Sequence, residues 1–298
     1  FRMLLNLPTT ERNDPTDLGP LPPHEARNWQ IYLHAVQQPT PLVGDKWRTA
    51  FNDECRMVHT NATIREAVEW CVNHGNWDHH VYGPMEQWRV QRVTDMRTLF
   101  AWHQCSSAFN PNLSQWDVSN VTLMRGMFYD CRDFQGRGLS GWDVSKVTNM
   151  DGIFQYCSTF NADLSRWDVS KVTDMSYLFY NCSVFNADLS GWDVSKVTRM
   201  DGMFQYCTVF NADLSGWDVS RVTNMYYTFI GCEIFNADLS GWDVSNVTRM
   251  VSTFRYCAMF NADLSRWDVS KVTDMSYIFY GCAALYVDLS EWDVSNVT

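Results

Sequence analysis

The residues with chemistry to offer are aspartates, cysteines, histidines and asparagines. An aspartate follows the tryptophan in every copy of the tetrapeptide WDVS: Asp117, Asp143, Asp168, Asp193, Asp218, Asp243, Asp268 and Asp293. A second row, from Asp163 to Asp288, sits in the FNAD motif and its last variant. If successive copies stack, neighbouring carboxylates stand about 5 Å apart and repel by roughly 1 kcal/mol in water, or about 3 kcal/mol at an effective dielectric near 20. Such a row needs an offset. The position three residues on reads Asn120, Lys146, Lys171, Lys196, Arg221, Asn246, Lys271 and Asn296, and the Ser and Thr hydroxyls (Ser195 and Thr198 in one copy) are close in sequence. Three readings stay open: a ladder satisfied by its own charge-assisted hydrogen bonds, a face that a partner recognises, or calcium bridging helped by the FNAD row.

Eight of the ten cysteines occupy one repeat position, from Cys105 and Cys131 through Cys282. Stacking would bring neighbours within disulfide range, but parallel side chains beside Phe and Met point to buried thiols that pack as small hydrophobes. Cys55 and Cys71 stand apart and could pair if the protein is secreted. All seven histidines precede the regular repeats. The run CVNHGNWDHH (Cys71, His74, Asp78, His79, His80) has metal-like chemistry but fits no zinc spacing, and adjacent His79 and His80 seldom ligate one ion. A surface loop after a helix is expected there, with no metal and no cofactor. The repeats contain no histidine and no isolated departure that singles out a nucleophile with a base, so no catalytic residue is assigned.

Six sequons for N-glycosylation occur, at Asn61, Asn112, Asn120, Asn181, Asn246 and Asn296. Asn120, Asn246 and Asn296 arise wherever Asn replaces the base ahead of Val-Thr, so chance accounts for them as readily as selection. A column that exchanges Lys, Arg and Asn must nonetheless face solvent, where a glycan attaches if the source is a eukaryote. A threonine column invites an ice-binding reading, against which a charged, curved strand face speaks.

The elements that position these rows follow from the period. WDVS begins at Trp116 and Trp142, 26 residues apart, and then recurs every 25 residues to Trp292; a degenerate copy starts at Trp88. Fixed spacing at this length marks a solenoid, in which each unit covers the apolar face of its neighbour. Within a unit, Trp192, Asp193 and Val194 alternate as a short strand with one buried side would. Val197, Met200, Phe204 and Cys207 then recur at threes and fours, which predicts a short helix or 3-10 turn. Phe210, Asn211, Ala212 and Asp213 supply a turn.

The pattern M-x-x-x-F-x-x-C-x-x-F-N-x-D-L-S-x-W-D-V-S-x-V-T resembles the BspA-type leucine-rich repeat of bacterial, mycoplasmal and protist surface proteins, over about residues 62–298. The resemblance implies an α/β solenoid: short parallel strands on a concave face, short helical or 3-10 turns on the convex face, and an N-terminal helical cap. It also implies residence outside the cell or at its surface, and adhesion or binding. Val197 and its equivalents stand where ordinary leucine-rich repeats keep asparagine, so Asn161, Asn186, Asn211, Asn236 and Asn261 are expected to supply the stacked hydrogen-bonding row instead.

Residues 1–60 read as a proline-rich arm or linker, with seven of the nine prolines between Pro8 and Pro41 and a short helix possible over His24–Gln37. Residues 61–87 read as a capping helix and its connection, the helix running from Ile64 to about Asn73 with a Thr63/Glu66 capping box and a Gly75 stop. Ala67, Trp70 and Cys71 would pack on the first repeat. Residues 88–298 hold about nine repeats, the last truncated. The chain opens on Phe1 and stops inside a repeat, so it reads as a piece of a longer or processed protein whose last coil needs a cover.

Nucleic acid is disfavoured by the net charge of −11. No apolar run approaches the roughly 18–20 residues of a membrane span. A non-catalytic recognition or adhesion module for a protein or glycan is therefore expected, its binding face the aspartate ladder. The alternative is a structural subunit that assembles with copies of itself into an extracellular filament or sheath.

Overall fold

The computed structural model describes residues 58–79, 82–101 and 109–298, all within the unit Met57–Thr298. The proline-rich arm, the possible His24–Gln37 helix, Cys55, His80 and Cys105 lie outside the described residues.

Helix α1 spans Asn61–His74. Its N-cap is Thr60, whose hydroxyl accepts from the Thr63 amide while the Thr63 hydroxyl accepts from the Thr60 amide at 2.9 Å. The capping box is thus Thr60/Thr63 rather than Thr63/Glu66, and the helix starts three residues early. Threonine at the third helical position closes the box from its own side chain, a role sequence reading reserves for Glu or Gln. Gly75 ends the helix as expected. It is left-handed at φ 60°, and the amides of Gly75 and Asn76 donate to Val72 and Cys71 carbonyls in a Schellman arrangement. Ile64, Ala67, Val68 and Cys71 form the buried stripe, and Trp70 is half-buried against it. The side chain of Asn61 ties α1 to the first repeat, accepting from the Thr94 amide at 2.8 Å and donating to the Thr94 hydroxyl at 3.0 Å.

A two-residue antiparallel pair follows, β1 (Asp78–His79) with β2 (Gly83–Pro84). His79 is buried in β1, 4.6 Å from the Trp70 ring and 4.7 Å from the Tyr82 ring, so it belongs to the cap core, while His74, Gly75, Asn76 and Asp78 of the same stretch are exposed, as a surface loop would be. Aromatic area draws His79 inward, between Trp70, Tyr82 and Trp88.

The repeats join one another in register. Trp142 and Trp167 lie 6.5 Å apart at 2°, and Trp217 and Trp242 lie 6.4 Å apart at 1°. Each indole N–H reaches back to the preceding repeat: Trp192 to the Leu164 carbonyl at 3.0 Å, Trp217 to that of Leu189 at 3.1 Å. Two phenylalanine columns stack beside them, with Phe179 to Phe204 at 5.8 Å and Phe185 to Phe210 at 5.9 Å. The cysteines fill the remaining space. Cys182, Cys207, Cys232 and Cys257 are buried free thiols, and each donates to a phenylalanine carbonyl of the repeat before, at 3.0 Å for Cys207 to Phe179. Burial pushes their thiols up.

The backbone differs from expectation in two places. The Trp-Asp-Val stretch alternates in burial as predicted but forms no strand, because its ends bond locally: the Trp167 amide donates to the Leu164 carbonyl, and the Val169 carbonyl accepts the Val172 amide. Parallel bridges fall instead inside VTxM, linking Asn149, Asp174, Arg199, Asn224, Arg249 and Asp274 in turn. Beside them Thr122, Thr173, Thr198, Thr223, Thr248, Thr273 and Thr298 each direct both amide and hydroxyl to the threonine carbonyl one repeat back, at 2.9 and 3.2 Å for Thr173 to Thr148.

The second difference is the return arm, which is neither helix nor 3-10 turn. In the copy from Met150 to Cys157, the amides of Met150, Gly152, Phe154 and Tyr156 donate to Asp174, Ser176, Leu178 and Tyr180 of the next repeat, at 2.7–3.0 Å. The intervening amides of Ile153, Gln155 and Cys157 donate three residues back within their own repeat. Gly152 and Tyr156, at φ 61° and 65°, hold the third position of two such turns, which is the type II signature. Alternate amides thus close turns and bind the neighbour. A spacing of threes and fours suits chained turns as well as it suits a helix.

Candidate recognition surface

The aspartate row resolves locally. Each carboxylate of the WDVS column accepts the amide of the serine two residues on, at 3.1 Å for Asp117 and 3.0 Å for Asp143, Asp168, Asp193, Asp218, Asp243, Asp268 and Asp293. This is an Asx turn. The FNAD row makes the same turn, with Asp188 accepting the Ser190 amide at 2.9 Å. The serine hydroxyl and then its amide hold Asp143, Asp168, Asp193, Asp243, Asp268 and Asp293 below the usual carboxylate range. Every aspartate of the WDVS column is exposed. The lysines of the neighbouring column bond elsewhere: Lys146 donates to Asn120 Oδ1 and Lys271 to Asn246 Oδ1, both at 2.8 Å. Among the described residues the ion pairs of aspartate are all with arginine. Among the described residues no three His, Cys, Asp or Glu side chains gather as a metal site, and Cys71 is buried in the cap core.

The expected asparagine row is present. Asn161 Oδ1 accepts the Asn186 amide at 2.9 Å, and the pattern continues through Asn211 and Asn236 to Asn261. Of the sequon residues, Asn120, Asn246 and Asn296 are exposed, and each donates Nδ2 to a backbone carbonyl of the preceding repeat at 2.8–3.0 Å. Asn61 is exposed but holds α1 to the repeats, Asn112 accepts the Ser114 amide at 3.1 Å, and Asn181 is half-buried at φ 59°.

The face on which the repeats differ lies in the return arm, and it is rich in tyrosine. Two left-handed columns run along it. One reads Thr98, Gly126, Gly152, Tyr177, Gly202, Tyr227, Ser252 and Tyr277; the other reads Asp130, Tyr156, Asn181, Tyr206, Gly231, Tyr256 and Gly281. From Gly152 and Tyr156 onward each column alternates tyrosine with a small residue, a period of two repeats. The reason is steric. The rings of Tyr177, Tyr206 and Tyr256 each lie over the next repeat's glycine, so that a Cβ on Gly281 would meet Tyr256 Cδ1 at 2.6 Å. Tyrosine in a left-handed conformation costs roughly 1–2 kcal/mol that glycine avoids.

The rings form a strip. Tyr129 to Tyr156 is 5.6 Å, Tyr156 to Tyr180 is 4.7 Å and Tyr180 to Tyr206 is 6.1 Å. A second cluster gathers around Arg255, whose guanidinium stands 4.8, 5.3 and 5.1 Å from the rings of Tyr256, Tyr277 and Tyr280. Tyr206, Tyr256, Tyr277 and Tyr280 are 38–63% exposed. Burial raises Tyr129, Tyr177 and Tyr180, the last also through its hydrogen bond with Tyr156, so these phenols are neutral at physiological pH. At the α1 end the strip meets a groove of about 600 Å³ lined by Arg65, Asp95, Arg97, Arg125, Tyr129 and Asp151. Asp95 pairs with Arg97 at 2.8 Å, and Arg125 with Asp151 at 2.8 Å. The signal for this face in the sequence is the alternation of a small residue in (G/S)-x-F-(Q/R)-Y with tyrosine in Y-x-F, visible once copies are aligned in pairs.

In-register stacking and side-chain columns define a tandem-repeat protein. The chain belongs to the family described as "Mycoplasma protein of unknown function, DUF285", which matches residues 72–166, 132–230 and 210–298 in tandem. No curated protein matches the chain.

Proposed function

We propose that the protein is a non-catalytic recognition or adhesion module, presented outside the cell or at its surface, that binds a protein or glycan. Its repeats are read as the coils of a leucine-rich-repeat-like solenoid of the BspA type, with the bridges of VTxM in place of the expected strands. The observation that carries the reading is the tyrosine and arginine face. Tyr and Arg are the side chains that dominate recognition surfaces, and here they stand on a backbone bonded in every repeat to its neighbours. The WDVS aspartates serve their own turns, which moves the binding role from that column to the return arm.

A building block for a filament needs identical faces. The repeats vary in several exposed columns and most of all along the return arm that carries the tyrosines, which favours recognition over assembly. Antibody labelling of intact source cells, with electron microscopy of the native material, tests both. Surface label on dispersed particles is expected; ordered fibres would overturn the reading in favour of assembly. No helix of the described residues is long and apolar enough to cross a membrane, so this part of the chain would be displayed by something else.

A further inference from the structure

We propose that the tyrosine strip binds an extended, uncharged β-1,4-linked polysaccharide, each disaccharide spanning two repeats. The inference rests on the recognition reading and narrows it to one ligand class. Its first support is that tyrosine occupies left-handed positions at Tyr156, Tyr206 and Tyr256 where other repeats carry glycine, at Gly231 and Gly281. The backbone would be easier with glycine throughout, so the rings are present for what they offer. Tyr206 and Tyr256 lie along the surface against Gly231 and Gly281 of the next repeat and are exposed, and Tyr156 is half-exposed beside Tyr180. Flat apolar faces with hydroxyl edges suit the two faces of a pyranose and its equatorial hydroxyls.

The second support is the period. Tyr156, Tyr206 and Tyr256 recur every second repeat, which is about 10 Å at two strand spacings. A β-1,4-linked chain also repeats every second sugar, at nearly the same length, because alternate rings are turned over. The third is charge. A net charge of −11 repels a polyanion. The phenols of Tyr156 and Tyr180, 3.1 Å apart, are placed to exchange hydrogen bonds with sugar hydroxyls.

The experiment uses the full chain in native affinity gels containing hydroxyethyl cellulose, pullulan or heparin, and calorimetric titration with cello-oligosaccharides of increasing length. Retardation by the β-linked neutral polymer alone is expected, with affinity rising in steps of two sugars. Tyr206→Gly combined with Tyr256→Gly, which eases the backbone, should weaken binding at least tenfold without lowering Tm. Tyr286→Ala, at a 93% exposed residue outside the strip, should leave it unchanged. Equal binding by the double variant, or preference for heparin, would overturn the proposal. So would an absence of retardation in a chain that still binds surface proteins through the same tyrosines, an outcome that leaves recognition standing.

Discussion

The ring of Tyr177 occupies the space that a side chain on Gly202 would need. A Cβ there would lie 2.7 Å from both Cδ1 and Cε1 of the ring, and Gly202 is left-handed at φ 56°. Sterics and backbone therefore agree on glycine. Gly202→Ala should destabilise the protein by about 2–3 kcal/mol, from the left-handed penalty and the displaced ring together. Tyr177→Gly in the same chain should recover the steric part and leave about 1 kcal/mol. Urea unfolding of the two variants measures both, and equal losses would show that the ring does not press on Gly202.

The indole hydrogen bonds can be tested at Trp217, whose N–H donates to the buried Leu189 carbonyl at 3.1 Å. Trp217→Phe keeps an aromatic ring in the stack but removes one of that carbonyl's two donors, the other being the Trp192 amide at 3.0 Å, and leaves a gap. A loss of about 2–4 kcal/mol is expected by chemical denaturation. A loss under about 1 kcal/mol would mean that ring stacking alone holds the column.

The aspartate turns predict a contrast of chemistry. Asp193→Asn keeps an oxygen for the Ser195 amide, now at 3.0 Å, whereas Asp193→Ala removes it. By analogy with helix caps, alanine should cost about 0.5–1 kcal/mol and asparagine a few tenths. Because the folded carboxyl is held below its ordinary range, its contribution is complete above the unfolded pKa and fades as pH falls through the folded value. The Asp193→Ala variant should lose less stability than the parent on acidification below about pH 4.

His59 gives a second pH dependence, of different origin. It is fully buried between the Tyr82 and Trp88 rings, and burial lowers it from 6.5 to about 4. The unfolded chain takes up this proton first, so stability is complete above pH 6.5 and declines as pH falls towards 4. The shift corresponds to about 3 kcal/mol. His59→Phe should flatten stability between pH 4 and 6.5; the same slope in parent and variant would assign the dependence elsewhere.

Much of this architecture was legible because a repeat multiplies every signal. Trp192 and Val194 inside, Asp193 outside, Cys207 among phenylalanines and Asn211 in a bonded row all follow from types recurring at one position. Backbone conformation was less legible. The spacing of Met200, Phe204 and Cys207 is shared by helices and chained turns, and only the left-handed residues between them decide. Tyr206 is a poor advertisement for such a turn, so the turn and the tyrosine face stayed hidden together. At α1, Thr63 was read as the residue before the helix because Glu66 looked like its partner; the box closed one turn earlier with Thr60.

Pairing of tyrosine in one coil with a small residue in the next has a bearing on how such a chain can lengthen or shrink. Removing the single unit around Gly202 would set Tyr177 directly beneath Tyr227, two large side chains contending for one space. Removing that unit together with a neighbour restores the match. Recombination between near-identical copies should thus leave viable proteins whose lengths differ by even numbers of units, so the count of coils is constrained by parity.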